Sequence, residues 1–588
     1  MGSANQGCGH TARIVLSTTP RKRIVVFSGP TATVQNTVPL VTSNKARAKY
    51  GLPLLTHADG TAQRFDALRP QRLAAPVTVY VRQFSAHPLE RDAAELYAPP
   101  DGYVVADGQF TRERREASDV PVYEVTLKPE DGVYLLPYMA RQANGKAWED
   151  DTAYAGAPES LARQPFYPDA SRLFEEIDRF GLGETSGLNN LLASRADYDF
   201  VRVVPSGGYK KGLAEAERSD LGDGAGGDIA PERMGHDFFN YRPFHLWRDP
   251  PRAMMARVVN QVQAAMDSGR YAGGIWLEGS PNLEETLMWM NLLIDTTLPI
   301  CGNSSQRPHG SLANDGDRNV VDSVNWILSE AWQDERGDNA AGVVAVLDQL
   351  VYAAREVQKA DARPGGYTAT GGHGGIIGSM GHPPGAPVMT YVPNRRHTHH
   401  SAVNLRKLPQ SVNGVRQIDG IITSVSVRIK DESGWLLPDA LPEVRFARTA
   451  RYLPASADVS SAGEVEIQAR IAHNLSHSPL AGFIAEGQAG NAKVARPIDA
   501  ALMEATFCGM PVVRVGRGNA EGIIPRSRDG LTIGGSNLTA NKARLLLMAC
   551  LLKLGALPPA ADCKDPTDAE KAAVKAKIAE YQAIFDTH

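Results

Sequence analysis

Four short apolar runs constrain this chain most. Ile24-Val25-Val26-Phe27, Gly274-Ile275-Trp276-Leu277, Leu480 to Ala485 and Pro511 to Val515 are each a few residues long and bounded by turn or helix-periodic segments. Continuous apolar runs of that length suit strands covered on both faces, as in a parallel sheet. A further strand is expected over 297–301. Helical periodicity fills the intervals: 251–267, 283–294 and 319–330 in the middle of the chain, then 495–509, 540–553 and 568–586 towards its end. The last of these opens with Thr567-x-x-Glu570, a capping box in which each side chain satisfies a backbone donor of the other residue. This alternation predicts an α/β protein with two mainly parallel sheets and flanking helices.

Composition narrows the class. The 588 residues are 43% hydrophobic and 22% charged, enough apolar content for a large core, and the length suits two to four domains. A formal net charge of −4 gives no basic surplus for nucleic acid and no acidic tail for a basic partner. No apolar run reaches the roughly 20 residues that span a bilayer. The first residues have no hydrophobic signal region, so a cytoplasmic location is expected. Five widely spaced cysteines without a CxxC argue against a disulfide framework or zinc knuckle.

Between the first strand and the α/β rhythm lies different material. Residues 77–84, 103–106, 120–128 and 132–139 read as strands among Gly, Pro and Asp, so 52–165 is taken as a β-rich insertion. A short helix is expected over 169–180 and a long loop over 206–235. Residues 341–352 and 387–391 are expected as strands or a short helix. Residues 362–386, dense in glycine, read as a mobile segment without the GxxxxGK[ST] pattern of a nucleotide loop.

Two strand-to-turn junctions carry candidate chemistry. Open α/β sheets hold ligands at the carboxyl edge of their strands. There, Ser28-Gly29-Pro30-Thr31 follows the first strand and Glu278-Gly279-Ser280-Pro281-Asn282 follows the second. A turn leading into a helix points backbone N–H groups at developing negative charge. The same residues also read as simple punctuation: Asn282 with Glu285 as a capping box, Pro281 as a helix start, Thr31 as a solvated loop residue. Thr31 becomes a nucleophile if a base or lysine stands near it. Lys359 is a surface lysine by default, or a base if burial beside hydroxyls lowers its pKa. His397, His399 and His400, with His373 or His382, are a weaker metal candidate beside the plainer reading of loop histidines.

The stretch 273–324 resembles the central signature of the bacterial-type L-asparaginase/glutaminase family. Gly279-Ser280, Glu284-Glu285-Thr286, Arg307-Pro308, and Asp315-Gly316 with Asn319 match that family's "HGTDTxEET", "RP" and "ADGxxN" blocks. Ser28-Gly29-Pro30-Thr31 resembles its first "TGGT", Val357-Gln358-Lys359 its "VTK", and Asn394 to Thr398 its "ARKHT". Gly487 to Asn491 and Ser536 through Lys542-Ala543-Arg544 follow in order. The resemblance covers roughly 20–50 and 240–588. It implies an asparaginase-like two-domain fold: a larger domain over 20–410, with 52–235 as insertion and long loops, and a smaller one over 411–588.

By the same resemblance, Thr31 is the nucleophile, Ser280 the second hydroxyl, Lys359 the lysine, and Tyr50 the tyrosine of the loop after the first turn, at a longer spacing. Gly29, Gly279, Glu278 and Asn282 line the substrate, and Asp249 lies nearest the place of a substrate-binding turn. No metal or cofactor is implied. Sites completed across a homodimer or homotetramer interface are.

The departures from the pattern redirect the substrate. Pro281 stands where the family has an aspartate, Glu278 where it has a histidine, Asn282 where it has a threonine, and Pro30 where it has a glycine. Proline has neither carboxylate nor N–H. A site for the α-ammonium of asparagine would lose its main partner. The expectation is therefore an amidohydrolase acting on another small amide: a lactam, a cyclic imide or an N-acyl amide. The alternative is an inactive, ligand-binding relative.

Overall fold

The computed structural model describes residues 22–29, 41–43, 59–61, 65–67, 69–72, 77–81, 100–105, 110–127, 133–136, 174, 192, 195–202, 252–307, 315–369, 375–381, 386–448, 460–488, 491–517 and 523–588. Its centre is an eight-stranded sheet. The strands are β1 (Arg23–Ser28), β2 (Asp197–Arg202), β3 (Gly273–Leu277), β4 (Ile300–Asn303), β5 (Val343–Leu347), β6 (Leu350–Ala353), β9 (Ile376–Ser379) and β10 (Val388–Met389), with β7 (Val357–Lys359) and β8 (Tyr367–Ala369) forming a separate hairpin. The spatial order is β2-β1-β3-β4-β5-β6-β9-β10. The first five strands are parallel, and β6, β9 and β10 add an antiparallel flank.

The apolar runs become central strands because both faces are covered. Successive side chains of a strand point to opposite faces. Accordingly Ile24 and Val26 pack with Trp326 of helix α3 (Gly316–Ser329). Val25 and Phe27 enter the other cluster, with α1 (Met254–Asp267) and α2 (Asn282–Leu293).

Strand β2 belongs to this sheet, not to the insertion. Sequence reasoning overlooked it because a buried carboxylate interrupts its pattern. Asp199 is fully buried and accepts from Arg23 Nη1 at 2.6 Å and from the Tyr271 hydroxyl at 2.8 Å. A buried charge persists only when paired in this way. The expected strands at 77–84, 103–106, 120–128 and 132–139 appear as Val77–Val81, Gly102–Val104, Val120–Leu127 and Val133–Leu136. The first three lie in a six-stranded antiparallel sheet, and the last pairs with Arg69–Arg72. The helix expected over 169–180 lies outside the described residues except for Phe174, which is helical. The loop at 206–235 lies outside them entirely.

The second parallel sheet comprises β13 (Glu443–Arg448), β14 (Ala481–Gly487), β15 (Val512–Gly516) and β16 (Ile533–Gly534), in that order. A hairpin, β11 (Ser411–Ile418) with β12 (Ile421–Arg428), precedes it. Helices α4 (Val465–His477), α5 (Arg496–Phe507), α6 (Ala540–Leu554) and α7 (Asp568–Phe585) surround it. The Thr567–Glu570 capping box of α7 forms as expected.

One apolar cluster runs through both sheets, from Val25 and Leu287 to Leu546 and Ile578. Charged groups line the same seam. Lys542, fully buried, donates to the main-chain carbonyls of Glu284 and of Ala354. Arg544 pairs with Glu285 at 2.6 Å, and Arg355 Nε donates to the His588 carbonyl at 2.8 Å.

Candidate active site at the carboxyl edge of the larger sheet

The strand order places the site. From β1 the chain goes to β2 on one side and then to β3 on the other. In open α/β sheets, ligands settle where the order reverses, outside the carboxyl ends of the strands. That point is the pair Ser28 and Leu277, which lie side by side in register. Gly29 follows at once, its N–H donating to the Leu277 carbonyl at 2.8 Å. A Cβ there would lie 2.7 Å from the indole of Trp276, so close packing explains the glycine. Thr31, Tyr50 and Asp249 lie outside the described residues.

After β3, Glu278 is buried; its carboxylate accepts from Trp276 Nε1 at 2.8 Å and its N–H donates to the Asn303 carbonyl. Gly279 and Ser280 are half-buried. The Ser280–Pro281 peptide is cis, and α2 begins at Asn282 with Pro281 at its cap position. The expected Asn282–Glu285 capping box does not form. Asn282 lies inside the helix, no side chain caps it, and Glu285 turns instead to Arg544.

Residues that resemble the family signature fasten the neighbouring loops. Asn303 Nδ2, at the end of β4, donates to the carbonyls of Asn319 and Val346 and to the Ser323 hydroxyl. Asn319 Nδ2 donates to the Ser304 carbonyl at 2.9 Å, while its Oδ1 accepts from the Asp348 N–H at 2.8 Å. Asp315 accepts from the N–H groups of Gln306 and Arg307. The loops after β4 and β5 are thus tied to the first turn of α3, and the buried Ser304 is fixed through its carbonyl.

Next to Ser304 stands a residue the sequence reading missed. Tyr367 is hydrogen-bonded through its hydroxyl to Ser304 at 2.9 Å, and Ser280 lies near enough to act on the phenol. Burial raises its phenol pKa, a shift that both serines oppose. Residues 362–386, read as a mobile segment, contain β8 and β9 instead. The overlooked signal was Val357-Gln358-Lys359 and Tyr367-Thr368-Ala369 flanking Pro364-Gly365-Gly366, a hairpin pattern. In that hairpin Lys359 and Tyr367 are directly paired.

Lys359 is half-buried. Its ammonium donates to the carbonyls of Arg363 and Gly365, at 2.6 and 2.8 Å, and stands 5.4 Å from the Tyr367 ring centroid. That is cation–π range. Its own N–H donates to Glu284 Oε2, and burial raises the Glu284 pKa. Ser304 and Lys359 therefore meet through Tyr367. Away from this turn, burial lowers the pKa of Lys542 to about 8.

His397, His399 and His400 are close, but His397 Nδ1 contacts the Thr398 hydroxyl and His399 Nδ1 the Thr296 carbonyl. Among the described residues no group of three or more His, Cys, Asp or Glu side chains is arranged to hold a metal ion. His373 and His382 lie outside them. Among the same residues no helix is long and apolar enough to cross a membrane.

An open α/β sheet with hydroxyls and a lysine gathered at its switch point defines the class of molecule. Residues 250–365 match the family model for the amino-terminal part of asparaginase. Three proteins of Saccharomyces cerevisiae, L-asparaginase 2-1, 2-3 and 2-4, are each 26% identical over 162 residues, covering 26% of this chain and 38% of theirs. Over this part of its length the chain is similar to the asparaginase family. The match spans less than two fifths of the length of those yeast relatives. Among solved structures, the probable cytoplasmic L-asparaginase from Campylobacter jejuni aligns with a TM-score of 0.41 at 19% identity, over 58% of this chain and 85% of that one.

Proposed function

We propose that this chain is an amidohydrolase of asparaginase type acting on an amide other than free asparagine. The observation that carries the reading is the cluster at the carboxyl edge in which Tyr367 joins Ser304 through its hydroxyl and Lys359 through its ring, beside Ser280 at the switch point. Thr31 is assigned as nucleophile from its place two residues after Gly29. Its hydroxyl proton passes to the hydroxyl cluster as the oxygen attacks the amide carbon, the C–N bond breaks, and the departing nitrogen takes that proton from the cluster. Water then hydrolyses the ester and restores Thr31. Tyr50 is assigned to the nucleophile's side of the cleft. Gly29, Glu278, Gly279, Asn282 and Asp249 are assigned to the substrate.

Pro281 supplies no charge for an α-ammonium, so the substrate class is a lactam, a cyclic imide or an N-acyl amide. A division near residue 410, a homodimer or homotetramer with sites at the interface, and a cytoplasmic location complete the proposal.

The test is mass detection of an acyl adduct on Thr31 after incubation with glutarimide, 2-pyrrolidone and N-acetylglycinamide, alongside product release. Thr31→Ala is expected to lose both. Unchanged turnover in that variant rejects the mechanism. A raised melting temperature with no adduct and no product replaces it with the ligand-binding reading.

A further inference from the structure

We infer that His473 and His477 form a binding site for a divalent transition-metal ion, of the class Cu2+, Ni2+ or Zn2+, at the end of helix α4. The pair belongs to the helices around the smaller sheet. It shares no residue with the hydroxyl cluster or with the His397 group, and the inference does not rest on the hydrolase reading.

Helix geometry brings the two side chains together. Residues four apart stand one above the other on a helix face. Both histidines are exposed, while Ile467, Ile471, Asn474 and Leu475 of the same helix are buried. Their ring centroids lie 4.6 Å apart, with the planes 21° from parallel. Two nitrogens bound to one ion at about 2.0–2.1 Å stand about 3 Å from each other. Rings already stacked at this spacing reach that separation by side-chain rotation alone.

A hydrogen bond selects the ligating atom. His477 Nδ1 lies 3.1 Å from the main-chain carbonyl oxygen of His473. A carbonyl oxygen only accepts, so Nδ1 carries the proton, and in the neutral ring Nε2 holds the lone pair. That is the arrangement of a metal-bound histidine, whose second nitrogen donates to a backbone carbonyl or a carboxylate. The helix end adds to it. His477 lies in the last turn of α4, where unpaired carbonyls gather partial negative charge and favour a cation.

Chemistry narrows the ion. Imidazole suits Cu2+, Ni2+ and Zn2+, whereas Mg2+ and Ca2+ prefer oxygen ligands. Arg470, one turn before His473, adds positive charge to the same face, so an ion held by charge alone gains little. Among the described residues no third His, Cys, Asp or Glu completes the set, so water fills the remaining positions on the ion. The bound ion would clamp the last turn of α4, which leads into β14.

The test uses the full chain without a histidine tag, as wild type, His473→Ala and His477→Ala. Ni2+ is titrated by calorimetry near neutral pH, with and without excess Mg2+. Wild type is expected to show a binding phase that each variant weakens about a hundredfold, the gain from holding a second ligand on the same scaffold. Excess Mg2+ should leave that phase unchanged. Ni2+ should also raise the melting temperature of wild type more than that of either variant. Affinity within about threefold of wild type in either variant, displacement by Mg2+, or no Ni2+ phase in wild type overturns the inference.

Discussion

The two parallel sheets follow the same strand–helix plan but finish their carboxyl edges differently. In the larger sheet, loops after the strands are held by side chains: Asn303, Asn319 and Asp315 reach across to carbonyls and N–H groups. In the smaller sheet, the edge is closed by backbone. Arg517 N–H donates to the Gly487 carbonyl, Gly535 N–H to the Arg514 carbonyl, and Gln488 N–H to the Lys493 carbonyl, each at 2.8 Å. Gly487 packs so tightly that a Cβ would lie 2.1 Å from the backbone of Ala492. The larger sheet has backbone pairs at its edge as well, Gly29 with Leu277 and Glu278 with Asn303, and adds the side-chain tethers to them. The tethered loop then presents the Ser304 hydroxyl to a third element, the β7–β8 hairpin.

Three measurements can break or sharpen this contrast. The largest effect is expected from Lys542→Met. It removes a buried ammonium from the carbonyls of Glu284 and Ala354 and from the nearby Glu284 and Glu356 carboxylates. Loss of one partner from a buried charged group costs about 3–5 kcal/mol. Urea unfolding should show the loss in a single transition, since one core serves both sheets. Two separate transitions would mean that the sheets are independent.

Acid should weaken the same seam. Burial holds His397 and His588 at about 4, below the ordinary value of 6.5. The unfolded chain therefore binds protons first, and stability is full above pH 6.5 and falls as pH drops towards 4. Each histidine contributes about 1.4 kcal/mol per pH unit in that window. His397→Gln should flatten the slope by that amount in denaturant titrations at pH 6 and 5; an unchanged slope would remove His397 from the account.

The smallest effect belongs to the supporting unit alone. Thr567→Ala, at the capping box of α7, should lower stability by about 1 kcal/mol and leave turnover of the probe amides untouched. A change in turnover at a temperature where the variant stays folded would show that the support communicates with the site.

How far the sequence could be read depended on how local the cause was. β1 and β3 were legible because apolar runs report burial on both faces, and α7 because Thr567 and Glu570 cap within four residues. Helix α4 and strand β13 went unread, their apolar pattern diluted by polar residues: only Ile467, Ile471 and Leu475 of α4 are buried apolar residues. β2 was lost because Asp199 answers to Arg23 and Tyr271, far away in sequence. The Asn282 box failed for a similar reason, since Arg544 takes Glu285. In the site, Ser280 and Lys359 were found by resemblance. Tyr367, which meets Ser304 through its hydroxyl and Lys359 through its ring, sat in a stretch where glycine content suggested looseness and the strand pairing went unnoticed.

The position of β1 in the large sheet has a consequence for biogenesis. Its two neighbours are β2 and β3, and β3 is encoded about 250 residues later, so translation at roughly 5–20 residues per second leaves the first strand without that partner for roughly 10–50 s. A nascent chain in that interval exposes an aliphatic β-segment, the kind of stretch that chaperones shield.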